Sequence, residues 1–158
     1  MQVYDIAIIG GGIAGVAAAV QTARMGMKTV LIEKTALVGG LATGGLINAF
    51  LPLCDGNGHQ VTFGIAEEML RKSIVYGPGE IPPGWRNECN GEERKRFISV
   101  FSPASLVLAL DELLEEAGVT VYLDTLVCAA KTAGNRLTGV AVENESGRFT
   151  LRARQFID

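Results

Sequence analysis

Gly10, Gly12 and Gly15 stand as Gly-x-Gly-x-x-Gly between an apolar run, Val3 to Ile9, and an Ala-rich segment, Ile13 to Met25. That spacing serves to bind a pyrophosphate. The first glycine permits a tight turn, the second lets the backbone approach the phosphates, and the small Ala19, four residues after Gly15, lets the helix pack on the sheet. Gly11, Gly12, Ile13, Ala14 and Gly15 then lie where a helix N-terminus turns free N–H groups and positive dipole toward an anion. A second apolar run, Lys28 to Ile32, ends at Glu33. A carboxylate there accepts hydrogen bonds from ribose hydroxyls and repels a 2′-phosphate, which argues against NADP. A glycine turn that only packs a helix on a strand would need part of this pattern. The whole pattern in a strand–turn–helix context points to a dinucleotide, with NAD and FAD both open at this stage.

Two apolar runs joined by a helix imply parallel strands and a right-handed crossover. Gly26 is placed to end the helix. From Lys34 to about Ser102 the pattern is irregular, with a helix predicted over Ile65 to Val75, a loop over Gly77 to Gly84 and a strand over Arg96 to Phe101. Ser102 before Pro103 predicts an N-cap followed by proline in the first turn. Leu106, Leu110, Leu113 and Leu114 give that helix an apolar face, and Gly118 ends it. Val119 to Leu123 predicts a third parallel strand. Leu126 to Lys131, Leu137 to Glu143 and Arg148 to Ala153, separated by Gly134-Asn135 and Ser146-Gly147, predict an antiparallel three-stranded meander. Phe156 to Asp158 is expected to start a further strand, with Ile157 beside the first.

After Lys34 the chain runs into Val38-Gly39-Gly40-Leu41-Ala42-Thr43-Gly44-Gly45. With the fingerprint before it, this stretch resembles FAD-dependent oxidoreductases of the glutathione-reductase-like class. More narrowly, it resembles the bacterial family that carries Gly-Gly-x-x-Thr after the second strand. The resemblance implies an α/β fold, a Rossmann-like FAD-binding domain with a parallel sheet plus the antiparallel meander. It implies FAD as cofactor and hydride transfer between a small organic substrate and the flavin. Cofactor contacts are implied at Gly10, Gly11, Gly12, Ile13, Ala14, Gly15, Glu33 and Lys34. Gly39, Gly40, Leu41, Ala42 and Thr43 would run toward the ribityl chain, and a backbone group near Val127 would face the adenine. The expected domain comprises residues 1–45 and 103–158, with 46–102 an insertion belonging to a substrate or cap region. In relatives, the strand that Phe156-Ile157-Asp158 resembles leads into an Ala-Thr-Gly turn. The expectation is therefore an N-terminal portion of such an enzyme.

The remaining residues offer little further chemistry. His59, the only histidine, and Cys54 flank the turn Asp55-Gly56-Asn57-Gly58. Both read as loop residues, although a histidine near a flavin could move a proton. Cys128 reads as core, and Arg86 beside Trp85 as a surface contact. No catalytic residue is assigned. The three cysteines follow no metal or disulfide spacing, so neither a zinc site nor a disulfide is expected and a cytoplasmic location is. A net charge of −3 gives no case for nucleic acid. The apolar stretch Leu37 to Leu53 is broken by glycines and Pro52, so no membrane span is expected. The expected partner is a small-molecule substrate, and an exposed sheet edge or the insertion would offer a route to homo-oligomers. Two other readings compete: an NAD-binding dehydrogenase domain, and a non-catalytic FAD-binding subunit of a complex.

Overall fold

The computed structural model describes residues 3–51, 53–55, 59–81 and 98–158. Trp85, Arg86, Cys89, residues 82–84 of the glycine–proline loop and the start of the strand expected at Arg96 lie outside them. The chain divides into two compact units, residues 1–40 with 111–158, and residues 41–110.

The first unit opens with β1 (Val3–Ile9), α1 (Ile13–Arg24) and β2 (Thr29–Ile32). β1 and β2 pair in parallel, with Ile8 opposite Leu31. All four residues of β2 are buried, as expected of a strand covered on both faces. α1 packs on both strands and buries Val16, Ala19 and Val20. Its end follows the Schellman pattern: Gly26 takes φ +81, Gly26 N–H bonds to Ala23 O at 2.9 Å and Met27 N–H to Thr22 O at 3.2 Å. α3 (Pro103–Ala117) ends the same way at Gly118, φ +74, with Val119 N–H on Leu114 O at 3.0 Å.

β5 (Thr120–Tyr122) pairs in parallel with β2. β6 (Leu126–Ala133), β7 (Arg136–Asn144) and β8 (Gly147–Ile157) form the expected meander. One expectation fails here. Arg148 to Ala153 and Phe156 to Asp158 are not two strands but one, the eleven-residue β8. Its first part pairs antiparallel with β7, from Gly147 opposite Asn144 to Leu151 opposite Val140. Its last part pairs parallel with β1, from Arg152 opposite Val3 to Ile157 opposite Ile8. Nothing between Ala153 and Phe156 breaks an extended chain, since Arg154 and Gln155 favour no turn. Meander and parallel strands are thus one six-stranded sheet, in the order β5-β2-β1-β8-β7-β6. A single apolar cluster crosses the join, taking Tyr4, Ala7, Val30 and Ile32 from one side and Val140, Val142, Leu151 and Ala153 from the other. Cys128 is a second correction: it is exposed, because β6 is the edge strand and most of its residues face solvent.

The second unit holds the pair β3 (Ala49–Phe50) and β4 (Ser99–Val100), and α2 (Ile65–Ser73). α2 stops short of the expected Val75. It buries Met69 and Leu70, and the Ser105 hydroxyl donates to Ser73 O at 2.7 Å.

Candidate nucleotide-binding site

From β1 the chain moves to β2 and β5 on one side, while β8 lies on the other. The sheet order therefore reverses at β1. In open parallel sheets, ligands bind beyond the carboxyl ends of the strands at such a reversal. The fingerprint glycines sit there, each under a different constraint. Gly10 takes φ +97, and its N–H bonds to Ile32 O at 2.8 Å. A Cβ on Gly15 would collide with the Gly10 carbonyl oxygen. A Cβ on Gly11 would stand 3.0 Å from Glu33 Cβ. Gly12 differs: its φ is −64 and a Cβ would meet nothing within 4 Å. Fold and packing leave Gly12 free to be larger, so the space beside it is the cradle a phosphate would fill. Ile13, Ala14 and Gly15 form the first turn of α1, which holds no acidic residue and no side-chain cap. Its N–H groups are the ones a helix leaves without internal partners.

The second glycine pair is tied to the first. Gly39 N–H donates to Gly11 O at 2.7 Å, Gly12 and Gly39 form a parallel bridge, and a Cβ on Gly40 would lie 3.1 Å from Gly12 Cα. Leu41, Ala42 and Thr43 belong to the second unit. There Leu41 is exposed and Thr43 buried, with Ile47 N–H on Leu41 O at 2.9 Å and Leu46 N–H on Thr43 O at 3.1 Å.

Glu33 is 7% exposed. Its Oε2 accepts the Gly11 N–H at 2.6 Å, and its Oε1 accepts the Thr35 N–H and the Thr35 hydroxyl, both at 2.8 Å. Burial pushes the carboxyl's pKa up. The Thr35 hydroxyl, the Gly11 and Thr35 amides and the charge of Lys34 outweigh it and hold Glu33 below its ordinary value. The segment is also pinned to the β5–β6 turn. Glu33 N–H bonds to Tyr122 O at 2.8 Å, Thr125 N–H to Glu33 O at 2.9 Å, and Asp124 N–H to Thr35 O at 3.1 Å. Asn144 Nδ2 donates to the buried Thr125 hydroxyl at 3.1 Å, which joins β7 to that turn.

Around this carboxylate lies an open cavity of ≈ 260 Å³, lined by Ile9, Gly10, Glu33, Lys34, Thr125, Leu126, Val127 and Asp158. Its size suits a nucleoside rather than a whole dinucleotide, ligand pockets running to roughly 300–1,000 Å³. Gly10, Glu33, Lys34 and Val127, four of the expected cofactor contacts, thus line one cavity. Thr35, Thr125 and Asn144 were missed. Their only signal was a small polar residue at or near a strand end, which reads equally well as a solvated loop. His59 is exposed, its Nδ1 3.2 Å from Asp55 Oδ2, and Cys54 is buried beside Leu70 in the second unit. Among the described residues, no group of His, Cys, Asp and Glu is arranged to hold a metal ion. No described helix is long and apolar enough to cross a membrane.

An open cradle at a helix N-terminus, with an ionised carboxylate one strand away, fits a pyrophosphate joined to a ribose. Comparison with known proteins narrows the choice. The family model for FAD dependent oxidoreductase matches residues 5–158. The chain belongs to the FAD dependent oxidoreductase family. Its cofactor is FAD. Among curated relatives, it is 28% identical to a digeranylgeranylglycerophospholipid reductase of Picrophilus torridus, over 98% of this chain and 38% of the relative. A thioredoxin reductase of Ureaplasma parvum is 34% identical over 48% of this chain and 25% of the relative. This chain thus spans well under half the length of those relatives. Among solved structures, a geranylgeranyl bacteriochlorophyll reductase-like protein from Thermoplasma acidophilum superposes with a TM-score of 0.66 at 22% identity, over 99% of this chain and 38% of that one. The p-nitrophenol 4-monooxygenase of Pseudomonas putida gives 0.60 at 16% identity, over 98% and 39%. At such identities these two speak for the fold alone.

Proposed function

We propose that this chain forms the FAD-holding part of an enzyme that passes a hydride between a small organic substrate and the flavin. The open face of Gly12 at the uncapped start of α1 carries the reading. The Gly12, Ile13, Ala14 and Gly15 amides would bind the pyrophosphate, with Gly10 and Gly11 shaping the turn. Glu33 and Lys34 would flank the adenosine ribose, and the Val127 backbone would face the adenine. Gly39 through Thr43 would follow the cofactor toward its ribityl chain. FAD supplies the redox chemistry; the protein supplies position, electrostatics and exclusion of water. Residues 1–45 with 103–158 would act as the cofactor domain and 46–102 as part of a substrate cap. A cytoplasmic location is supported by three cysteines without disulfide spacing, and the absence of nucleic acid by the net charge of −3. The exposed edge of β6 would offer a surface for self-association, which light scattering of the purified chain would reveal.

The test is direct. The purified protein should carry FAD, identified by its absorbance and by mass after release. A panel of small organic substrates should bleach it under anaerobic conditions. Bound NAD in place of FAD would defeat the cofactor assignment for this chain. FAD that no substrate reduces would favour a non-catalytic subunit.

A further inference from the structure

We propose that Thr35 is a positioning residue for the cofactor: by filling Glu33 Oε1 it leaves Oε2 as the one oxygen able to receive an adenosine ribose hydroxyl. The inference rests on reading the Glu33 cavity as the adenosine end of the FAD site.

The argument is a count of lone pairs. Each carboxylate oxygen has two acceptor directions in its plane. Oε1 receives the Thr35 N–H and the Thr35 hydroxyl, both at 2.8 Å. Oε2 receives the Gly11 N–H at 2.6 Å, its one bond among the described residues. One direction stays open, on the oxygen that already grips the glycine loop. Bonds on both oxygens also fix the rotation of the carboxylate plane, so the open direction is fixed before any ligand arrives. Preorganisation of this kind lowers the ordering cost of binding.

The Thr35 main chain is held separately, its carbonyl accepting Asp124 N–H at 3.1 Å, so removing the hydroxyl does not release the segment. The hydroxyl oxygen also lies 2.9 Å from Leu37 O. It has a single proton to give, and an ionised carboxylate is the stronger acceptor. The charged groups bordering the cavity with Glu33 are Lys34 on its own strand end and Asp158 after β8. The end of β5 and the turn after it, packed on the other side, bond to the main chain of Glu33 and Thr35 through Tyr122 O, Thr125 N–H and Asp124 N–H, and the titratable side chains they carry are those of Tyr122 and Asp124.

The experiment measures FAD affinity of the flavin-stripped protein by fluorescence quenching between pH 4 and 8, for wild type, Thr35→Val, Thr35→Ser, Glu33→Gln and the Glu33→Gln/Thr35→Val double variant. Thr35→Val should weaken FAD roughly five- to tenfold at neutral pH, the loss of about one hydrogen bond. It should also move the acid-side loss of binding to higher pH, because Glu33 protonates more readily without the hydroxyl. Thr35→Ser should restore both. On a Glu33→Gln background, Thr35→Val should add little, since the two residues act as one unit. A wild-type protein that does not bind FAD would defeat the cofactor reading itself. Wild-type binding that Glu33→Gln weakens and Thr35→Val leaves unchanged, in affinity and pH profile, would overturn the role of Thr35 alone.

Discussion

At the scale of single residues, the fingerprint glycines separate into those the fold needs and one, Gly12, that only the proposed ligand would need. Gly15 is held by the Gly10 carbonyl, and Gly11 by the Glu33 side chain. Gly12 has neither constraint. Gly12→Val should therefore leave the flavin-free protein folded, its unfolding free energy changed by no more than about 1 kcal/mol. The same variant should fail to retain FAD on gel filtration; full flavin content would remove Gly12 from the phosphate site. Glu33 holds the glycine loop through Gly11 and, on the proposed reading, would also hold the cofactor. Glu33→Ala should weaken FAD by about 1.5–3 kcal/mol, as hydrogen bonds to a charged group do. Glu33 also sets a pH dependence without ligand. Its folded pKa lies below the ordinary 4.5, so the stability it contributes is complete above 4.5 and is lost as pH falls through the lower folded value. Urea midpoints of the flavin-free protein should fall through that acid window, and Glu33→Gln should flatten the fall. A slope identical in both proteins would show that other groups govern it.

At the scale of elements, β8 joins the meander to the parallel strands. Leu151 stands where its pairing changes from β7 to β1, and it is buried in the cluster that spans both parts of the sheet. Leu151→Ala should cost about 2–5 kcal/mol in urea unfolding. A loss under 1 kcal/mol would mean that the two parts are stable independently. The same strand shows where sequence reading reached and where it ended. β1, α1 and the glycine ends of α1 and α3 were legible because apolar runs and glycines with positive φ are local signals. The unity of β8 was not, because no local feature tells a strand where its neighbour changes. Cys128 was misjudged because alternation in LVCAAKTA does not say that the strand lies at an edge. Glu33 was legible as a carboxylate at a strand end. Its grip on Gly11 was not, since that bond joins two strand ends 22 residues apart; the bonds from Thr35, two residues on, are local but need the carboxylate to turn back along its own segment.

At the scale of the molecule, FAD should act as a staple for the first unit, because at the proposed site it would bridge the ends of several strands. Ligand at a hundred times its dissociation constant adds about 2.7 kcal/mol to stability. For a chain of this size that is a rise of roughly 5–11 °C in Tm. Hydrogen exchange should slow in β1, the start of α1 and β2 on adding FAD, and change less in α2. Uniform protection over both units would mean that the cofactor organises them together. The position of β8 beside β1 also bears on biosynthesis. Val3 is paired with Arg152, so the edge of β1 that β8 covers stays open until nearly the whole of this chain has been translated. At about 5–20 residues per second, the wait is roughly 8–30 s. During that interval the ribosome displays an apolar strand with unsatisfied amides, a surface that chaperones bind. The sheet is therefore completed late, after the nucleotide loop between β1 and α1 has left the exit tunnel.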